Sequence, residues 1–258
     1  MKEINFIAGG MMGDFIQSLY AVKNICEQQN AKANIYLADG YGGDKWKFNL
    51  EKTFDDIYML VLGQSYVNSL KILPDGFNEP YINLNDWRSR VEKSYAEKGV
   101  YSECWSDIMS NHYGFEIPKQ YRWIDVSEVN QETKGKILIH RSKHRHNNSF
   151  PWNVILDGME DLLFITTDES EWDEFSFKNE NINPYIVSTI SDMANAIGSC
   201  HIFIGNQSAP FSLACALDIE RVVELDIDQA GFYMEERKYS ENMSFYLNED
   251  IKHLSVFN

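Results

Sequence analysis

The stretch over residues 202–217, IFIGNQSAPFSLACAL, most constrains how this chain can fold. A short apolar run ends at Gly205 and a polar turn follows. A helical pattern then begins with Pro210, which is tolerated because the first helical turn has no amide partner to lose. The pattern predicts a buried strand that leads into a buried helix. Such a helix start presents N–H groups and partial positive charge to an anion such as phosphate, although most turns of this kind in α/β sheets bind nothing.

The same strand-to-helix pattern recurs through the chain, twice over. In the first half, strands are predicted over residues 4–8, 33–38, 67–73, 81–84 and 121–126, with helices after Gly13 and over residues 48–62 and 95–112. A polar linker over residues 127–134 follows. The second half has predicted strands over residues 136–140, 162–166, 185–187, 200–204 and 221–225, and a helix capped by Ser191.

Strands that alternate with helices predict an α/β fold with two doubly wound, mostly parallel sheets. We expect two Rossmann-like domains, residues 1–128 and 129–258, that face each other across a cleft. Ligands of such sheets bind beyond the carboxyl ends of the strands, so the cleft is the expected site.

Composition excludes several classes of function. The 258 residues are 44% hydrophobic, and no apolar run approaches the length of a membrane span or a signal peptide, so we expect a cytoplasmic globular protein without stable membrane insertion. A formal net charge of −16 makes a nucleic-acid partner improbable. The four cysteines are scattered without a CxxC pair, so neither a zinc site nor a disulfide framework is predicted.

A basic cluster interrupts this acidic chain. Five of the 23 Lys and Arg residues fall within residues 134–145, directly after the strand that ends near His140. Arg141, Lys143 and Arg145 are predicted to bind phosphate oxygens, with arginine suited to bidentate contacts. The alternative is that these cations pair with the surplus of surface carboxylates. The nearby histidines lack the spacing of a zinc motif, so no metal site is predicted.

The first strand-to-helix turn carries a carboxylate, Asp14, close to Gly9, Gly10 and Gly13. A carboxylate near a helix start is stabilised by the amide dipoles, so Asp14 can serve as a cap or take part in chemistry. The turn lacks the full dinucleotide fingerprint, and a nicotinamide cofactor is therefore not expected.

Three motifs resemble those of the two-domain GT-B glycosyltransferases, and most nearly the bacterial heptosyltransferase-like group of glycosyltransferase family 9. Residues 13–19, GDFIQSL, resemble the Gly-Asp motif whose aspartate serves as catalytic base. His140-Arg141-Ser142, with Phe-Pro-Trp over residues 150–152, is similar to the segment that opens the donor-binding domain. Residues 205–214 resemble the phosphate loop, with Gln207, Ala209 and Phe211 replacing the usual Asp, Gly and His.

The resemblance implies a metal-independent, inverting glycosyltransferase whose nucleotide-sugar donor is a co-substrate and whose acceptor is a carbohydrate or glycan. Asp14 would be the base. The implied donor contacts are Gly13, His140, Arg141, Lys143, Arg145, Ser188, Thr189, Asn206, Gln207, Ser208 and Ala209. The arginine cluster and the late strand-to-helix turn are also similar to those of fucosyltransferases of related architecture, which implies a GDP-linked donor as an alternative and leaves hexosyl, heptosyl and fucosyl transfer open. The alternatives are a non-catalytic nucleotide-sugar-binding module and a sugar-nucleotide epimerase of the same architecture. No feature indicates an oligomeric state.

Overall fold

The strands form two parallel sheets in a computed structural model that describes residues 2–40, 45–98, 103–118, 121–126, 128–226 and 242–245. The first sheet has the order β3-β2-β1-β4. Its strands and the helices of this half are β1 (Lys2–Ala8), α1 (Met12–Gln28), β2 (Ala31–Leu37), α2 (Leu50–Leu62), β3 (Val67–Ile72), β4 (Tyr81–Asn83), α3 (Trp87–Lys98) and α4 (Trp105–Tyr113).

The second sheet has the order β10-β9-β8-β5-β6-β7. Its half of the chain contains β5 (Ile137–His140), α5 (Trp152–Leu156), β6 (Leu162–Thr166), α6 (Glu169–Glu174), β7 (Ile182–Ile186), α7 (Ile190–Ser199), β8 (Ile202–Asn206), α8 (Ala209–Ala216), β9 (Glu220–Glu224) and β10 (Met243–Phe245). The predicted class, two doubly wound parallel sheets, is confirmed. The domain boundary at residues 128 and 129 stays a prediction.

Each sheet has a point at which the direction of winding reverses. The first sheet extends from β1 to β2 and β3 on one side and then continues with β4 on the other. The second sheet extends from β5 to β6 and β7 and then reverses to β8, β9 and β10. Ligands of open α/β sheets bind at such reversals, beyond the carboxyl ends of the two strands. The expected sites are therefore the turns after β1 and β4 and the turns after β5 and β8.

One hydrophobic core runs through both halves of the chain. Helices α1 and α2 pack against α8 and α7, and the buried cluster includes Phe6 and Leu19 from the first half and Phe203 and Leu213 from the second. The halves are also joined by Ser191 at the start of α7. Its hydroxyl accepts a hydrogen bond from the Leu60 amide at 3.2 Å and donates to the Asp56 carbonyl at 2.9 Å.

Two sequence expectations about this frame are wrong for identifiable reasons. Residues 121–126 form no strand. Trp123 and Ile124 instead donate their backbone amides to the Ala216 carbonyl at the end of α8, so their apolar character reflects burial between helices. The single helix expected over residues 95–112 is two helices, α3 and α4, and the extended backbone of Cys104, with φ −80° and ψ 166°, precedes the second of them.

The start of α7 also differs from expectation. Thr189 caps this helix, and with Asp192 it forms a reciprocal capping box, while Ser191 contacts α2 instead. No helix in the described ranges is both long and apolar enough to cross a bilayer.

Candidate functional site

The turn after β1 and the turn after β8 meet where α1 and α8 begin. A Cβ atom added at Gly13 would lie 3.3 Å from the Ser212 hydroxyl and 3.6 Å from both the amide nitrogen and the Cα of Ala209. A Cβ atom here would require the Ser212 hydroxyl to move by a few tenths of an ångström, so glycine fits this close approach of the two helices best. The approach brings two helix N-termini, each with partial positive charge, to the same place between the sheets.

Asp14 lies in the first turn of α1, with its side chain 14% exposed. Its carboxylate forms an ion pair with Arg88, the second residue of α3. The residue before α1, Met11, has φ 58° and ψ 102°, a conformation that is costly for a bulky side chain. Backbone strain of this kind, about 1–3 kcal/mol, is concentrated at functional sites in proteins.

The start of α8 fits an anion better than a side-chain cap. Ser208 occupies the cap position, yet its hydroxyl donates to the Asn206 carbonyl at 3.0 Å. Within the described part of the chain, no side chain caps this helix. Because Pro210 has no amide to contribute, Ala209 supplies the first-turn N–H group closest to Gly13. Ser208 and Ala209 therefore lie at the helix start where the sequence predicts that a phosphate group binds.

Asn206 and Gln207 are buried and hold neighbouring loops. The Asn206 side chain accepts a hydrogen bond from the Ser142 amide at 2.9 Å and donates to the Ser142 hydroxyl at 3.0 Å. The side-chain oxygen of Gln207 accepts a hydrogen bond from the Asp226 backbone amide at 2.8 Å. These contacts hold the turns after β5 and β9 beside the start of α8. Both residues are therefore buried supports of the site and are not exposed to a ligand.

Two of the five cations of the basic cluster pair with carboxylates, which is the alternative that the sequence left open. Arg141 donates two hydrogen bonds to Glu224, at 2.8 and 2.7 Å, and Glu224 is fully buried. Lys143 pairs with Glu174 on α6, and that pair raises the pKa of the lysine. Among the described residues, Arg145 has no carboxylate partner. Phosphate binding by these three cations stays a prediction, and Arg145 now fits it best.

His140 lies inside the second sheet. Its side chain is 3% exposed, and its Nδ1 lies 2.9 Å from the Ile165 carbonyl, which fixes Nδ1 as the protonated nitrogen. Burial lowers the pKa of His140, and the Glu171 carboxylate 4.0 Å from its Nε2 opposes that shift. The imidazole is therefore away from the surface, which does not support its predicted contact with a donor.

Ser188 and Thr189 lie at the far edge of the second sheet, after β7. Ser188 lines a groove of about 310 Å³ together with residues 128–130. Thr189 lines a second groove of about 450 Å³ between α2 and α7. The structure therefore does not bring these two residues next to Ser208, and their predicted role as base or ribose contacts stays a prediction.

Two residues that follow β4, Asn85 and Arg88, lie at the candidate site and were not predicted from the sequence. The Asn85 side chain accepts a hydrogen bond from the Gly9 amide at 2.9 Å, and Arg88 pairs with Asp14. Both follow β4, the strand beside β1 in a parallel sheet. A signal was present, since polar residues directly after a predicted strand lie at the edge where ligands bind. The sequence alone does not show that β4 lies beside β1, so this signal could not place Asn85 and Arg88 next to Asp14.

An ion pair also joins the two halves. Lys47 lies 3.2 Å from Asp168, which caps α6 at the carboxyl end of β6. Hydrogen bonds from Ser170 and the pair with Lys47 lower the pKa of Asp168 to about 2.

In the described ranges, no three His, Cys, Asp or Glu side chains are grouped so as to hold a metal ion.

Comparison with known proteins connects this geometry to one group of folds. No protein-family model matches the chain, and no curated protein matches it by sequence. Among solved structures, ADP-heptose lps heptosyltransferase II from E. coli is similar with a TM-score of 0.62 and 11% identity, over 95% of this chain and 90% of that one. A glycosyltransferase family 9 protein from Veillonella parvula gives 0.54 and 9%, over 99% and 88%.

The E. coli heptosyltransferase WaaC, solved with ADP, gives a TM-score of 0.54 at 8% identity, over 94% of this chain and 92% of that one. Identities this low establish the fold alone. The chain has the GT-B, heptosyltransferase-like fold that the sequence motifs predicted.

Proposed function

We propose that this chain is a glycosyltransferase that moves a sugar from a nucleotide-sugar donor to an acceptor hydroxyl with inversion and without a metal. The observation that carries the proposal is the contact of Gly13 with Ala209. This contact brings the first turn of α1, which carries Asp14, against the amide end of α8 in the other half. A carboxylate facing an anion site across a cleft is the arrangement that proton removal and diphosphate departure require together.

In the proposed reaction, Asp14 accepts the proton of the acceptor hydroxyl. At the same time, the oxygen of that hydroxyl attacks the anomeric carbon of the donor sugar. The bond between that carbon and the diphosphate oxygen breaks, and the nucleoside diphosphate leaves with the electron pair. The Ala209 amide, the dipole of α8 and Arg145 stabilise the negative charge that develops on the leaving group. Asn206 and Gln207 support this anion site by holding the surrounding turns.

The identity of the donor is open to direct measurement. Related folds have been solved with ADP, and one TibC structure is a complex with ADP-D-β-D-heptose, at a TM-score of 0.57 and 14% identity over 95% of this chain and 63% of that one. We therefore expect ADP to raise the Tm of this protein more than UDP, GDP, CMP or dTDP in a thermal-shift screen. If no nucleotide raises the Tm, the nucleotide-sugar proposal is contradicted.

The decisive test of the reaction is Asp14→Asn. Loss of a general base lowers the rate by about 10²- to 10⁴-fold. We expect product formation to fall by that factor, while the nucleotide Kd from calorimetry changes little. The control is Glu51→Gln, which removes an exposed carboxylate from the first turn of a different helix, α2. Full turnover by Asp14→Asn would remove Asp14 from the role of base.

Two further outcomes identify the alternatives. Nucleotide binding without transfer or hydrolysis across a donor panel would indicate a binding module. Conversion of the donor sugar in the absence of any acceptor would indicate an epimerase.

A further inference from the structure

The ion pair between Asp14 and Arg88 is unusual for its place in the fold. Arg88 is the second residue of α3, and a cation in the first turn of a helix is disfavoured by the helix dipole. Its side chain is nevertheless only 23% exposed, and its guanidinium carbon lies 4.7 Å from the centre of the Trp87 ring. The contact with Asp14 links this arginine to the first turn of α1, and it is the one that bears on the candidate site.

The turn that carries Arg88 also fixes the rest of the loop before α1. Asn85 accepts a hydrogen bond from the Gly9 amide at 2.9 Å, and the Leu84 amide donates to the Ile7 carbonyl at 2.8 Å. The Ser18 hydroxyl bridges the Asp14 carbonyl, at 2.8 Å, and the Leu84 carbonyl. Residues 84–88 thus hold the loop at its start and the carboxylate at its end, around the strained residue between them.

We propose that Arg88 is a positioning residue of the transfer reaction, whose guanidinium holds the Asp14 carboxylate in the orientation that meets the acceptor hydroxyl. The proposal rests on the proposed function. An aspartate in the first turn of a helix has several side-chain rotamers, and a buried guanidinium partner selects one of them. Arg88 belongs to the same half as Asp14, so this orientation does not depend on the donor. Its removal is therefore expected to affect turnover more than donor binding.

The experiment uses Arg88→Ala and Arg88→Lys in the full chain. Misplacement of a catalytic group by about 1 Å can cost about 10²-fold in rate, so we expect kcat of Arg88→Ala to fall by about 10- to 100-fold. The KM for the nucleotide sugar should change less than about threefold. Lysine keeps the charge but loses the planar fork, so Arg88→Lys should retain an intermediate kcat.

Chemical rescue separates positioning from a merely structural role. Guanidinium ion, added well below denaturing concentrations, should restore kcat of Arg88→Ala by at least about fivefold by occupying the vacated space beside Asp14. The matched control is Arg90→Ala, which removes an ion pair of the same helix, that with Glu103 at 2.6 Å. We expect Arg90→Ala to keep the wild-type kcat and to show no response to guanidinium.

Each result has one meaning. A wild-type chain without transfer contradicts the proposed function itself. An active wild type whose Arg88→Ala variant keeps its kcat, loses only donor affinity, or is not rescued by guanidinium overturns the role of Arg88 alone. If Arg88→Ala fails to fold, Arg88→Lys decides: wild-type turnover by that variant contradicts the proposal.

Discussion

Replacing Glu224 with glutamine tests whether the basic cluster binds a ligand or stabilises the fold. The carboxylate of Glu224 ends β9, is fully buried and accepts four hydrogen bonds. Arg141 donates two of them, at 2.7 and 2.8 Å, the Asn147 amide one at 2.8 Å and the Trp152 indole one at 3.0 Å. Each carboxylate oxygen accepts two hydrogen bonds. In either orientation of a glutamine side chain, its NH2 group, which is itself a donor, would therefore face two donors and form neither bond.

The expected loss of stability is large. Removing one partner of a buried ion pair costs about 3–5 kcal/mol, because the remaining charge stays buried without compensation. Arg141 is that charge, since its side chain is only 11% exposed. For a chain of this size, such a loss corresponds to a fall in Tm on the order of 10 °C. Urea unfolding followed by circular dichroism measures the change in free energy of unfolding directly.

The exposed pair of Lys143 with Glu174 provides the control. Glu174 is 59% exposed, so Glu174→Gln should cost less than about 1 kcal/mol. In a double-mutant cycle, Arg141→Met combined with Glu224→Gln should lose at least about 2 kcal/mol less than the sum of the single changes, because no lone charge is left buried. A loss for Glu224→Gln as small as that for Glu174→Gln would refute the reasoning.

Three other predictions concern stability. Gly205→Ala should lower the free energy of unfolding by about 1–3 kcal/mol in urea, because its Cβ would lie 2.8 Å from both the His140 carbonyl oxygen and the Phe203 ring; an unchanged midpoint would contradict this packing. Ser191→Ala should cost about 1 kcal/mol, because two backbone groups of α2 lose their partner, and a neutral result would show that they pair with each other instead. Burial lowers the pKa of His140 below its usual 6.5, so its contribution to stability is present above pH 6.5 and is lost as the pH falls through the lowered value. His140→Asn keeps a donor for the Ile165 carbonyl without a titrating group, so urea midpoints measured between pH 7.5 and 5 should fall less steeply than in the wild type, and parallel profiles would contradict the assignment.

The sequence was most informative where a structure is specified locally. Strands such as β6 and β8 and the turn before α8 follow from apolar periodicity and turn residues within a few positions of one another. Residues 121–126 show the limit of that logic. Their apolar pattern is that of a strand, yet their amides are satisfied by the end of α8, about 90 residues away in the chain.

The position of the candidate site was predictable to the extent that helix starts and glycines indicate it. The turns at the two sheet reversals contain Gly13 and Asp14 after β1 and Ser208 and Ala209 after β8. Gly13 and Ala209 also lie against one another. Arg141 illustrates what could not be predicted. A run of cations indicates positive potential, but only the fold shows that a buried carboxylate 83 positions later neutralises one member.

The hydroxyl of Ser191 gives this protein an internal reporter of motion between its halves. The Ser191 side chain of one half accepts a hydrogen bond from the Leu60 amide of the other half and donates to the Asp56 carbonyl, one helical turn earlier in α2. The hydrogen-exchange rate of that single amide therefore measures how often α2 and α7 separate. If sugar transfer requires the halves to part for substrate entry, saturating nucleotide should slow exchange at Leu60 more than at interior amides of α2.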